Sequence, residues 1–166
     1  VNNRYVPFGL LLIASWGVMT FTHEAGHIVG GWACGGTLQE ARILPWELPY
    51  SIFDPDPQPL VTLWCGPILG AMVPIVMAAV VRRQWAWLIA HFCPLANGSY
   101  LAIAWLTGDR LLDTPKLLAS GTHPATIAAY CSLTIGFGYI GFRRQCIRCL
   151  APSPTVVKQS CGKPAT

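Results

Sequence analysis

The chain has 166 residues, 53% of them hydrophobic and only 11% charged, with seven Trp and a mean hydropathy of +0.46. Soluble domains carry about 25% charged residues, so the composition excludes an ordinary soluble fold. The net charge of +4 is small and scattered between apolar runs, which argues against nucleic-acid binding and for a polytopic membrane protein.

The first spanning segment is expected over Tyr5 to Gly31, after Arg4 and with Pro7 in its first turn. From Phe8 to Phe21 the run is almost wholly apolar. A bilayer core needs about 20 such helical residues, a length reached only if the helix continues through His23-Glu24-Ala25-Gly26-His27. Gly30 and Gly31 suit a loosened helix end. No small-residue cleavage site follows the apolar run, so a removed signal peptide is not expected.

Gly35-Gly36 signals a turn, and Thr37 to Leu44 alternates in the manner of a short strand. Pro45, Pro49, Pro55, Pro57 and Pro59 then exclude regular helix and give an extended loop. A second span is expected over Leu60 to Val81, with Gly66-Pro67, Gly70 and Pro74 inside it. Small residues let helices approach closely in lipid. Arg82 and Arg83 end it. A third span, Ala86 to Leu106, is unusually polar: His91, Cys93, Asn97, Ser99 and Tyr100 fall within it and are expected to face the bundle interior. Thr107 to Pro124 is a polar connection. A fourth span, Ala125 to Phe142, carries Gly136, Gly138 and Gly141 and stops at Arg143, Arg144 and Arg148.

The expected fold is therefore all-α and polytopic, with about four transmembrane helices and room for a short membrane-associated β-hairpin after the first. Residues 1–145 form the membrane-embedded domain and 146–166 a C-terminal tail, mobile from Ala151. The seven Cys lie mostly in or beside apolar segments and read as small apolar residues without a disulfide framework. Cys146 and Cys149 lack the second pair of a structural zinc site. Incidental juxtamembrane cysteines are the commoner outcome, reversible acylation the alternative. Four spans put Arg4, Arg82, Arg83, Arg143, Arg144 and Arg148 on one side. The positive-inside rule then places both termini in the cytoplasm of a cell (inner) membrane protein and the HEAGH end outside. The sequence sets no oligomeric state.

Positions four apart on a helix share a face, so His23 and His27 present two imidazoles to one metal ion. Glu24 stands beside them, where a general base would address a metal-bound water. Ionisable groups at membrane depth cost on the order of 2.5–3.5 kcal/mol each, which disfavours a chance motif. A catalytic zinc takes a third protein ligand. Asp109 is the first choice because it follows the polar third span and returns to the depth of the histidines. Asp113, one helical turn later, is the second. His91 lies toward the opposite side, and Asp54 and Asp56 fall in a proline loop.

With these residues in place, the chain resembles the site-2-protease family of intramembrane zinc metallopeptidases. Three features carry the resemblance over Tyr5 to Leu118. They are His23-Glu24-Ala25-Gly26-His27 ending the first helix, Gly66-Pro67-Ile68-Leu69-Gly70 in the next, similar to a Gly-Pro-x-x-Asn pattern, and Asn97 followed by Gly108-Asp109. The departures are Gly70 in place of asparagine, Arg110 after Asp109 in place of glycine, and a longer gap from Asn97 to Asp109. No appended PDZ or nucleotide-sensing domain is visible, which would make this a minimal, divergent member. The resemblance implies a Zn²⁺-dependent endopeptidase acting on a membrane protein substrate, with His23, His27 and Asp109 as ligands. Glu24 would be the base and Asn97 an oxyanion donor or substrate-positioning group. It also implies strand addition of substrate to Thr37–Leu44, and a site toward the cytosol, opposite to the charge count. The rival expectations are a noncatalytic relative that binds membrane helices and a small metal-ion transporter. An intact Glu24 argues against the first, and few spans without a repeat against the second.

Overall fold

The computed structural model describes residues 4–151 apart from positions 45 and 48. It is mostly helical: α1 (Tyr5–Ala33), α2 (Pro59–Val81), α3 (Gln84–Thr107), α4 (Asp113–Ala119) and α5 (Pro124–Leu150), with strands β1 (Leu38–Arg42) and β2 (Tyr50–Phe53) between α1 and α2. Among the described residues three helices, α1, α2 and α5, are long and apolar enough to cross a membrane, the composition and length of a membrane protein. At 24 residues α3 is also long enough, but its polar residues keep it outside that group. The expected count of four spans thus stands at three by length and apolarity.

The burial pattern is the reverse of a soluble protein's. Leu10, Ile13, Val76, Met77, Val80 and Leu133 are exposed, whereas Ser15, His23, Glu24, His27 and Asn97 are buried. In lipid the apolar side chains gain nothing by leaving the surface, and the polar groups must find partners inside. α3 sits centrally, against α1, α2, α4 and α5. Glycines set the helix spacing. A Cβ at Gly26 would lie 2.5 Å from the Cys65 carbonyl oxygen, one at Gly66 would run into the His27 ring, and one at Gly138 would lie 2.5 Å from the Leu95 backbone nitrogen.

Two boundaries differ from expectation. Gly30 and Gly31 do not loosen the end of α1, which continues to Ala33. They admit neighbours instead, since Cβ atoms there would strike the Cys65 side chain and the Phe53 ring. α5 runs through the basic cluster to Leu150, so residues 146–150 of the expected tail are helical, and the tail from 152 onward lies outside the described residues. The strand expected over Thr37–Leu44 forms as β1, paired antiparallel with β2 and with a register shift between Leu38 and Glu40. β2 falls in the segment expected as proline loop. Its Phe53 ring, seated on Gly31, docks the hairpin against α1.

Arg4 Nη1 donates to the Leu150 carbonyl (2.8 Å) and Gln84 Nε2 to Cys149 Sγ (3.8 Å). The start of α1, the start of α3 and the end of α5 therefore share one end of the bundle. The hairpin, α4 and the HEAGH residues belong to the other half.

Candidate metal centre

His23, Glu24 and His27 lie on the last third of α1 and are all buried. His27 Nδ1 lies 2.9 Å from the Thr62 carbonyl oxygen. His23 Nδ1 lies 2.6 Å from Asn97 Oδ1, and Asn97 Nδ2 donates to the Cys93 carbonyl at 3.0 Å. A carbonyl oxygen only accepts. The Cys93 carbonyl fixes the Asn97 amide and with it His23, and the Thr62 carbonyl fixes His27: each Nδ1 carries a proton and donates. In a neutral ring Nε2 is then left with a lone pair.

Those lone pairs converge. The two Nε2 atoms are 3.1 Å apart, and Asp113 Oδ2 lies 2.8 Å from that of His23 and 3.4 Å from that of His27. Burial alone would raise the Asp113 carboxyl. His23 and His27 outweigh it, because a ring that carries a proton on Nε2 donates to Asp113, and they hold the carboxyl well below the usual carboxylate range, so it faces the rings as an anion. Three such atoms within 3.4 Å of one another need a proton or a metal cation between them. Tetrahedral zinc bonds of about 2.05 Å put neighbouring ligand atoms about 3.3 Å apart, close to the three separations here. The donor set and its spacing therefore fit Zn²⁺.

Glu24 stands outside this triangle. The ligand atoms of His23, Glu24 and His27 fall within 4.8 Å of one another, and the longest of those separations involves Glu24, since the histidine nitrogens are 3.1 Å apart. The carboxylate therefore borders the position the two rings address, within reach of an ion or of a water beside it. Glu24 Oε2 is buried without a hydrogen-bond partner.

Asp113 is placed by the chain reversal after α3. Gly108 takes a left-handed conformation (φ 65°) that ends α3, and α4 opens at Asp113. Thr114 Oγ1 donates to the Leu101 carbonyl at 2.7 Å, which clamps the first turn of α4 to α3. Asp109, expected as the third ligand, is not brought to the histidines. Its carboxylate is exposed and accepts from the Leu111 N–H at 3.0 Å, shaping the turn before α4. Asp56 accepts from Gln58 N and Thr62 Oγ1 just before and within the first turn of α2, and His91 lies against Trp87 and Phe137. Asn97, expected to face substrate, has both ends of its amide engaged and holds His23 from the side away from Nε2.

A cleft of about 690 Å³ opens onto Glu24, His27 and Asp113, with β2 along one wall and α4 along another. Two of its residues were not expected at the site. Tyr100, one turn from Asn97 on α3, sets its ring edge-on to His23 with centroids 5.5 Å apart. Lys116 lies one turn beyond Asp113. The i+3 spacing from Asn97 was the available signal for Tyr100. No family model, curated protein or solved structure matches the chain.

Proposed function

We propose that the protein is an intramembrane zinc endopeptidase that hydrolyses peptide bonds of membrane-spanning or membrane-associated substrates. The observation that carries the reading is the convergence of His23 Nε2, His27 Nε2 and Asp113 Oδ2 at 2.8–3.4 Å, with the unpartnered Glu24 carboxylate beside them. In this reading α3 is the fourth span of a multi-pass cell (inner) membrane protein. Its polar side chains are accommodated because they face the other helices, with Asn97 and Cys93 fully buried.

His23, His27 and Asp113 would hold the ion, and a bound zinc supplies a Lewis acid that brings the pKa of its water to roughly 7. Glu24 takes the proton from the attacking water and passes it to the leaving nitrogen. Burial and the absence of a competing donor keep its free oxygen available for that proton. Asn97 and the Thr62 carbonyl hold the two rings so that both Nε2 atoms point at one position, as outer partners of metal-ligating histidines do.

Substrate enters along the cleft. A transmembrane helix hides its peptide bonds, so the scissile segment must be extended. β2 lines the cleft and pairs with β1 on one side only. Its other edge offers unpaired backbone groups for strand addition. That moves the docking strand from the expected Thr37–Leu44 to Tyr50–Phe53.

The test is the Glu24→Gln variant of the purified protein. Wild type should hold one zinc per chain and cleave a reconstituted transmembrane peptide. The variant should keep the zinc and lose cleavage by about 10²–10⁴-fold, the usual worth of a positioned base. Undiminished cleavage by the variant, or a wild-type protein that binds no zinc, would refute the reading.

A further inference from the structure

Peptide hydrolysis needs a donor for the carbonyl oxygen on which charge develops as water adds. Asn97, expected in that role, is engaged elsewhere: its Oδ1 accepts from His23 Nδ1 and its Nδ2 donates to the Cys93 carbonyl. Other donors along the cleft serve other partners. The Thr62 hydroxyl donates to Asp56 (3.0 Å) and the Tyr50 hydroxyl to Glu40. Lys116 and Ser120 are exposed, so water competes for them.

Tyr100 differs from these. Its ring stands edge-on to His23, with 5.5 Å between centroids, and its hydroxyl lies beside the backbone and the carboxylate of Asp113. One side chain thus adjoins two of the three residues that converge at the centre. Among the described residues no hydrogen bond of ordinary length ties the hydroxyl down, and it is not one of the three buried side-chain atoms left without a partner. Its oxygen therefore keeps open surface, and Tyr100 lines the cleft together with Glu24, His27 and Asp113.

The fold holds this hydroxyl in place. Tyr100 follows Asn97 by three positions on α3, so both address His23 from one helix face. Its ring packs on the buried cluster of Leu101, Leu117, Ile127 and Cys131. A donor placed before the reaction needs no reorganisation during it. The hydroxyl proton still rotates to suit its acceptor, so it can leave Asp113 for a substrate oxygen.

We propose that Tyr100, set between the His23 ring, Asp113 and the cleft, donates the hydrogen bond that stabilises the substrate oxyanion. The inference rests on the peptidase reading. The water oxygen bonds to the carbonyl carbon while Glu24 takes one of its protons. The C=O pair moves onto the carbonyl oxygen, which accepts from the Tyr100 hydroxyl. The pair then returns, the C–N bond breaks, and Glu24 passes its proton to the leaving nitrogen. Tyr100 keeps its own proton throughout, and water is the only co-reactant.

The experiment uses the whole zinc-loaded protein in detergent, a transmembrane peptide that wild type cleaves, and a phosphinic analogue of that peptide, whose tetrahedral anionic centre mimics the oxyanion. Tyr100→Phe keeps the ring and removes only the hydroxyl. It should hold zinc within about twofold of wild type and lose about 10²–10³-fold in kcat with little change in KM. It should also bind the analogue about 10²-fold more weakly, as expected for an interaction made with the transition state. Tyr100→4-aminophenylalanine keeps a donor at the same place and should bind the analogue within about fivefold of wild type. Undiminished kcat or analogue binding in Tyr100→Phe would overturn the proposal. So would a Tyr100→Phe protein that loses zinc affinity yet turns over normally at saturating zinc, because the tyrosine would then only position Asp113. If Tyr100→Phe does not fold, the 4-aminophenylalanine protein decides, and a loss of analogue binding there of about 10²-fold overturns the assignment. Glu24→Gln separates the two levels. Where it abolishes cleavage and Tyr100→Phe does not, the peptidase reading stands and the donor assignment fails; where wild type neither holds zinc nor cleaves, both fall.

Discussion

Replacing Asp113 by alanine removes one of the three atoms that converge at the candidate centre, and the geometry sets the size of the effect. Its Oδ2 lies 2.8 and 3.4 Å from the two Nε2 atoms, and the substitution removes an anionic donor for which only neutral water from the adjoining cleft can stand in. Structural zinc sites with four protein ligands bind with about 10–16 kcal/mol of apparent free energy, or about 2.5–4 kcal/mol per ligand. At 1.4 kcal/mol per tenfold, Asp113→Ala should weaken zinc binding by about 10²–10³-fold. Asp109→Ala should change it less than about twofold, because that carboxylate serves only the Leu111 N–H. The assay is zinc content by mass spectrometry after equilibration against a series of zinc–chelator buffers. Circular dichroism checks that each variant keeps its helices. If Asp109→Ala released the metal and Asp113→Ala retained it, the placement of α4 against the histidines would be refuted.

Asn97→Ala should lower zinc affinity about 10–100-fold, because it strips the acceptor from His23 Nδ1. Turnover at saturating zinc should stay within a few-fold of wild type; an oxyanion donor would behave the other way, with affinity unchanged and kcat down about 10²–10³-fold. Zinc occupancy should fall on mild acidification, measured by equilibrium dialysis, because the histidines bind metal only when neutral. Asp113 is not the source of that fall. Its folded value lies below the unfolded one near 3.9, so its contribution to stability is complete above that pH and is lost only as pH drops further toward the folded value. A zinc titration curve flat down to pH 4 would contradict the two-histidine ligand set.

The parts of the centre that were legible in the sequence are those fixed by local geometry. His23 and His27 meet because four residues make about one helical turn, and the apolar run before them guarantees the helix. The third carboxylate was open because Asp109 and Asp113 both follow α3 and lie about one turn from each other, and their order along the chain does not say which one faces inward. That is decided by the left-handed turn at Gly108 and by the Thr114–Leu101 clamp, contacts between residues 13 apart. A partial signal existed: Asp113-Thr114-Pro115 reads as a helix start, with an acidic residue and a proline in the first turn. β2 was hidden by its flanking prolines, which exclude a helix but do not exclude a short strand. Of the polar residues of the third helix, Cys93 and Asn97 are buried while His91, Ser99 and Tyr100 are half-buried, and the helix does not qualify by apolarity as a span.

Gly70 and Asn97 belong to one argument. Gly70 stands where a Gly-Pro-x-x-Asn pattern would have asparagine, which looks like the loss of a functional amide. In the fold, a Cβ at Gly70 would come within 3.0 and 3.1 Å of the two polar atoms of the Asn97 amide and 3.1 Å from the His23 Cα. A side chain on α2 at that point would occupy the space through which Asn97 reaches His23 Nδ1. The glycine therefore makes room for an amide delivered from α3. The need itself does not change: a ring at membrane depth must have its Nδ1–H satisfied, because a buried donor without an acceptor costs about 1–3 kcal/mol and lets the ring turn its Nε2 away from the centre. Asn97 meets that need from the neighbouring helix, and its own N–H group is satisfied within α3 by the Cys93 carbonyl. Helix spacing and histidine orientation are thus set by the same small residue.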